Sequence, residues 1–368
     1  MKTVRVLAGI LVAFAAIACA GNNEKTSEKG SDILLKDYAP VSIFKTEEHH
    51  PQAAKFSTID IHSHVYRKDV EGVKEWARIL DENNIEKVII YTYLWGEEFD
   101  KVYDMYTSVS PKFELWCGFD MSRWDQPDFP ECAIKELERC YAKGARGVGE
   151  LSDKGMGERK SRALREPGLH FDDEKFDALF EKAGELGMPV NCHLGDPIWM
   201  YEPLDEHNDG YMNAEHWWID LSTPGVLDLD QVVTTFENCV AKHPNTTFIG
   251  CHFINFCHDY AHLSEIMDRH PNLVIDNSAR HLESCVTPRA TKKFYERYQD
   301  RILFGTDNDP DPAMYHLQWR ILETEDEHFY AEDGYSYHWP LQGIGLSDDI
   351  LKKVYHDNAA RLLEARKR

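Results

Sequence analysis

Thr58-Ile59-Asp60-Ile61-His62-Ser63-His64-Val65 is the stretch from which the fold is read. It is short, alternating and rich in β-branched residues, so it predicts a strand. Successive side chains on a strand point to opposite faces. Asp60, His62 and His64 are therefore expected on one face, with Ile59, Ile61, Ser63 and Val65 on the other. Two imidazoles one pleat apart can both reach a single ion at about 2.0–2.1 Å. Two histidines on a solvated strand face would read the same way, so the decision passes to the rest of the chain.

Outward from this strand, apolar runs alternate with helical spacing. Val70, Val73, Trp76, Ala77 and Leu80 predict a helix, and Ile85 to Tyr91 predicts the second strand. Phe99–Tyr106 is the next helix, Phe113–Phe119 the third strand, Glu131–Ala142 a helix and Ala145–Leu151 the fourth strand. A Gly-, Lys- and Arg-rich loop from Ser152 to His170 follows. A helix through Phe176, Leu179, Phe180, Ala183 and Leu186 is expected to stop at Gly187, with Pro189 beyond it. Pro189–His193, Thr247–His252, Leu273–Ser278 and Ile302–Asp307 are strands five to eight, and a last helix runs from Asp348 to about Arg366. Eight such alternations predict an α/β fold, a (β/α)8 TIM barrel, distorted, with aromatic-rich insertions after strands 5 and 8. A doubly wound sheet is the competing architecture. It does not explain why so many strands end on a metal-ligand residue type, whereas a barrel gathers its C-terminal strand ends at one mouth.

Those strand ends carry His62 and His64, then Glu150, His193, His252 and Asp307. Each taken singly reads as a core histidine or a helix cap. Together, imidazole and carboxylate suit a borderline divalent ion: Zn2+ first, Mn2+ or Fe2+ next. A catalytic ion needs about three protein ligands and an open position. His258 is followed by Asp259, so there is no HExxH helix, and no GxGxxG, P-loop or GxSxG motif occurs.

The 368-residue chain is 42% hydrophobic, enough for a large core, and its net charge is -23. That charge argues against nucleic acid and against an anionic membrane face as partners. Lys2 and Arg5 precede an apolar run from Val6 to Ile17 that is too short to span a bilayer. Ala16-Ile17-Ala18-Cys19 resembles a bacterial lipobox, with Ala where Leu is usual. This implies a lipid on Cys19 as the only membrane attachment and an address at the bacterial cell envelope, on the periplasmic face or the cell surface; an ordinary secretory signal is the alternative. Residues 20–56 read as a tether and lead-in, with His49 and His50 at the surface, and 57–368 as the barrel. The other eight cysteines form no CxxC or disulfide pattern and read as buried thiols. Cys192 and Cys251, each preceding a histidine, are expected to face the covering helices.

The order HxH, Glu, His, His and Gly305-Thr306-Asp307 resembles the amidohydrolase superfamily. The nearest likeness is the amidohydrolase-related group of aminocarboxymuconate semialdehyde decarboxylase, 2-pyrone-4,6-dicarboxylate hydrolase and sugar lactonases. The resemblance runs from about Ile59 to Leu363 and includes Asn358-Ala359-Ala360-Arg361-Leu362-Leu363 in the last helix. It implies metal ligands at His62, His64, His193 and Asp307, and a substrate- or water-contacting role for His252. Glu150 stands where binuclear members place a carbamylated lysine, so it would bind, bridge or orient; one metal is favoured over two. By the same likeness, the ion would activate a water, with Asp307 taking the proton and returning it and His252 bonding the substrate oxygen. The function expected is a metal-dependent hydrolase cleaving a lactone, amide or related bond in a small polar substrate. A non-oxidative decarboxylase of the same family is one alternative. An envelope glycan-binding lipoprotein with a structural metal is another.

Substrate-binding candidates are Arg280, just past strand seven, and Trp199 and Trp217 in the loop after strand five, which also holds Tyr201, Tyr211, His216 and Trp218. Trp319, Phe329, Tyr330, Tyr335, Tyr337, His338 and Trp339 follow strand eight. These aromatics either wall the pocket or pack the loops on one another. Barrels of this type often pair, so a homodimer is among the expected states.

Overall fold

A computed structural model describes residues 33–158, 168–331 and 337–365. Cys19, the middle of the Ser152–His170 loop and Tyr335 lie outside them. Residues 33–39 form part of a separate unit with one 3-10 turn at Leu35–Asp37, and the barrel unit is Pro40–Arg368.

The barrel unit alternates strand and helix as the periodicity predicts. Its elements are β1 (Thr58–His64), α1 (Val70–Glu82), β2 (Ile85–Tyr91), α2 (Gly96–Val109), β3 (Phe113–Trp116), α3 (Phe129–Lys143), β4 (Val148–Asp153), α4 (Glu174–Glu185) and β5 (Val190–Leu194). They continue with α5 (Tyr211–Trp217), α6 (Leu229–Lys242), β6 (Phe248–Gly250), α7 (Tyr260–Arg269), β7 (Leu273–Asp276), α8 (His281–Ser284), α9 (Pro288–Tyr298) and β8 (Ile302–Leu303). The chain closes with α10 (Pro312–Glu323), α11 (Asp348–Lys352), a π turn over Lys353–Asp357 and α12 (Asn358–Ala365). Gly187, at φ +65, ends α4 as expected.

The strands are all parallel, in the order β1-β2-β3 and β4-β5-β6-β7-β8. Backbone bonds span both gaps between the two sheets. A parallel bridge joins Cys117 to Val148, and at the other gap Ile61 N donates to Phe304 O at 2.9 Å and Asp307 N to His62 O at 2.9 Å. Ile59, Ile61, Ile89, Tyr91, Trp116, Ile249 and Leu303 fill the interior, closed off by Ala359 and Leu363 of α12. The alternate residues, among them Val88, Ile90, Val190, Cys192, Phe248 and Ile275, pack with the helix layer. This is the expected (β/α)8 barrel.

Several elements end earlier than the pattern predicts. β6 stops at Gly250 and β8 at Leu303, so neither His252 nor Asp307 sits on a strand. The lead-in from residue 40 belongs to the barrel unit. Ala54 N donates to Asn83 O, Lys55 N to Glu323 Oε1 at 2.9 Å, and the half-exposed His49 is held by Asp326 through its backbone N–H and Nδ1.

Candidate metal site

Four of the six candidate side chains reach the barrel mouth through irregular backbone. Asp60 and Ser63 of β1 pair with Val88 and Ile90 of β2, three steps against two. That is a β-bulge, which inserts one residue and re-aims its neighbours. Ile59 and Ile61 already face inward, so strict alternation would send His62 out to the helices. The extra residue turns it in. The expectation that His62 shares a face with Asp60 and opposes Ile61 is therefore corrected. Asp60 does not reach the site; Thr306 holds it, with Oγ1 donating at 2.7 Å and the backbone N–H at 3.0 Å.

The same device recurs in β4. Val148 and Leu151, both in the helix layer, pair with Val190 and Cys192, again three against two. Glu150 is thereby turned inward. His252 and Asp307 enter from residues in the left-handed region, at φ +60 and +49. His64 follows the bulge in regular register, paired with Tyr91, and His193 follows regular alternation on β5, between outward Cys192 and Leu194. The reading of Cys251 is also corrected. It directly follows the end of β6, and its Sγ lies 2.9 Å from Oδ1 of Asn191, between the outward Val190 and Cys192 of β5, so it points into the barrel.

All six candidates meet. His64 Nε2 lies 3.0 Å from Asp307 Oδ1 and 3.6 Å from Glu150 Oε2. His62 Nε2 lies 3.8 Å from both Glu150 Oε1 and Asp307 Oδ1. His252 Nε2 is 3.7 Å from Glu150 Oε1 and 3.6 Å from Asp307 Oδ2. His193 Nδ1 is 2.9 Å from Glu150 Oε1, and its Nε2 donates to Gly195 O. Two groups of donor atoms lie within 4.8 Å of one another: His62, His64 and Asp307, and His62, Glu150, Cys251 and His252. His193 belongs to neither.

The residues fit a divalent ion. His62 is fully buried, and its Nε2 has no hydrogen-bond partner among the described residues. An unmet buried donor or acceptor costs about 1–3 kcal/mol. A cation among these nitrogens and oxygens removes that cost, and the donor set suits a borderline metal.

Charge is concentrated here. Burial alone would lower the His62 pKa, but Asp276, Asp307 and Glu150 outweigh it and raise it to about 10. Burial would raise Glu150; the imidazoles of His193, His252 and His62 hold it well below the usual carboxylate range. Asp307 is lowered in the same way, burial being outweighed by His62 and His64. His252 is pushed down to about 4, chiefly by burial. The acids are thus ionised and His252 is neutral near pH 7.

Four contributing residues escaped the sequence reading. Asp276, the aspartate closing the apolar Leu273-Val274-Ile275 run, lies 3.0 Å from His62 Nδ1 and accepts from His252 N at 2.9 Å. It fixes which nitrogen of His62 faces the site. Tyr93 donates a short hydrogen bond to Glu150 and lies 3.3 Å from His64 Nε2. Lys154 and Asp196 form a buried pair at 2.7 Å, with the ammonium over the Trp217 ring. Only the position of Asp276 in an apolar run was a signal in the sequence.

Above the donors lies a cavity of about 300 Å³, lined in part by Tyr93, Lys154, Trp217, Arg280 and Tyr337. A family model described as amidohydrolase matches residues 121–365, two thirds of the chain.

The chain belongs to the amidohydrolase superfamily.

Solved structures agree on the fold. A proposed amidohydrolase from Staphylococcus aureus superposes with a TM-score of 0.54 at 16% identity, covering 83% of this chain and 99% of that one. A 5-carboxyvanillate decarboxylase from Novosphingobium aromaticivorans, complexed with manganese and a nitrobenzoic acid, gives 0.51 at 11% identity, covering 86% and 100%. A TIM-barrel protein from Bordetella bronchiseptica gives 0.50 at 14% identity, covering 84% and 99%. No curated protein sequence matches the chain.

Against this amidohydrolase frame, the aromatic loops divide. Trp217 and Tyr337 line the cavity. Trp199 does not: it stands behind, edge-on to Tyr337 and Trp339, with Nε1 donating to Asn213. Trp319 is fully buried between Phe304, Tyr315 and Tyr355, in the core and away from the mouth. Arg280 lines the cavity, but its Nε and Nη2 both donate to Asn255 Oδ1, at 2.8 and 2.6 Å.

Proposed function

We propose that this amidohydrolase is a metal-dependent hydrolase acting on a lactone, amide or related bond in a small polar substrate. The observation that carries the reading is the Nε2 of buried His62, unpartnered among the described residues and facing Glu150 and Asp307 at equal distance. His62, His64 and Asp307, with Glu150, would hold one divalent ion, Zn2+ first and Mn2+ or Fe2+ next; His193 is joined to this set through Glu150. When bound, the ion supplies Lewis acidity and lowers the pKa of a water toward about 7.

The side chains supply the rest. Asp307 is ionised and about one-fifth exposed, so it can accept a proton at the cavity floor and return it to a leaving group. Neutral His252 gives its Nδ1–H to Ser278 O at 2.8 Å, so its Nε2 is a lone pair at the site, able to accept a hydrogen bond or a proton from water or substrate. Asp276 orients the His62 ring and holds the backbone of His252, whose own ring Ser278 holds. Arg280, Lys154 and Trp217 shape the small cavity above, where a compact substrate fits.

The test is Asp307→Asn assayed on lactones, amides and aromatic acids. The expected loss is about 10²–10⁴-fold in kcat. Chelation should abolish the wild-type rate and added divalent ion restore it. A metal-loaded Asp307→Asn enzyme with full activity would remove the proton-transfer role. Two cationic side chains in one small cavity, Lys154 and Arg280, favour a second reading in which an acid loses CO2; CO2 release without water addition would select it. The Met1–Cys19 leader supports a lipid-anchored envelope protein. Cys19→Ala should shift the protein from the detergent phase to the aqueous phase on partition, and no shift removes the anchor.

A further inference from the structure

We propose that the thiolate of Cys251 is a ligand of the metal centre, joining from the inner side of the donor ring. The proposal rests on the metal-dependent reading above and adds a soft donor to it. Three observations carry it. Cys251 Sγ falls with donor atoms of His62, Glu150 and His252 inside 4.8 Å. The only hydrogen bond of its thiol among the described residues goes to Asn191 Oδ1, itself an interior residue of β5, so the sulfur sits within the barrel at the level of the site. His62, whose buried Nε2 is unpartnered among the described residues, belongs to this inner group as well as to the outer one.

The thiol is fully buried among Asp276, Glu150 and Asp307, surroundings that disfavour a bare thiolate. A coordinated thiol is deprotonated outright by the ion's own charge. On binding, the S–H bond breaks, the sulfur–metal bond forms, and one proton leaves to water. A thiolate in the set biases the centre toward thiophilic ions such as zinc and cobalt over manganese.

Cobalt reports the bond directly. The full-length protein is stripped of metal, loaded with Co2+ and examined by absorption spectroscopy, with bound cobalt quantified by elemental analysis. A near-ultraviolet sulfur-to-cobalt charge-transfer band is expected in the wild type. In Cys251→Ala and Cys251→Ser it should vanish, while cobalt and its visible ligand-field bands remain. Full cobalt uptake with visible bands but no charge-transfer band in the wild type overturns the cysteine ligand and leaves the metal-dependent reading standing. So does a band that survives in folded Cys251→Ala, since it comes from another cysteine. No cobalt uptake overturns both. The wild-type spectrum decides the matter even if a variant does not fold.

Discussion

Gly305 shows how tightly the site depends on single residues. A Cβ added there would lie 2.8 Å from His62 Cβ and 3.1 Å from Ser278 Cβ. The glycine is needed for close approach, since side chains meeting at that distance must shift. Gly305→Ala should destabilise the fold by about 1–3 kcal/mol, read from denaturant midpoints, and weaken metal binding more than the remote loss would suggest. Asp276→Asn tests orientation separately from volume. The amide keeps the shape but cannot stabilise the charge on His62 Nδ1. Metal affinity should fall about 10–100-fold by competition with a chromophoric chelator, with little change in circular dichroism. Unchanged affinity would mean that Asp276 does no more than pack.

At the scale of elements, two bulges and two left-handed residues aim the site. Each bulge adds one residue to a strand with no extra residue opposite it at that point in the partner. Such features leave no periodic trace, because the insertion is a property of the pairing and not of either strand. The Thr58–Val65 reading put both histidines in one place, but by regular alternation; the actual cause is the bulge that lets Ile61 and His62 both face in. Cys251 went the other way, because alternation was carried through Cys251 and His252, which both lie beyond the end of β6. Helices were easier to read. Trp319 of α10 is an instance where an aromatic after β8 belongs to the helix-layer core. It stacks on Tyr315 and packs against Phe304 and edge-on against Tyr355, so Trp319→Ala should cost about 3–5 kcal/mol while leaving metal stoichiometry intact. Loss of metal with no loss of stability would return it to the pocket wall.

For the molecule as a whole, one buried histidine away from the donor ring ties stability to pH. Burial, then the charge of Arg280, push His281 down to about 4 from an ordinary 6.5. In the window between those values the unfolded chain binds the proton and the folded one does not. Stability therefore rises with pH across it and is lost as pH falls from 6.5 toward 4. The contribution is about 3 kcal/mol at neutral pH. His281→Gln should flatten the slope of unfolding free energy against pH in that range. An unchanged slope would assign the acid sensitivity to other groups.

The sequence by itself determined the order of elements, the barrel class and the six residues that meet at its mouth. Hydrophobic period and residue type are local properties, so β2 was legible to the residue, as Ile85–Tyr91. The resemblance in HxH and Gly305-Thr306-Asp307 rested on the same local facts. Only tertiary structure decided which way each side chain turned, that Asp276 stands behind His62, that Cys251 lies inside, and that Arg280 is bound to Asn255. Those depend on strand register and on contacts between residues tens to hundreds of positions apart, and a contact between distant segments is not encoded in the spacing within either one.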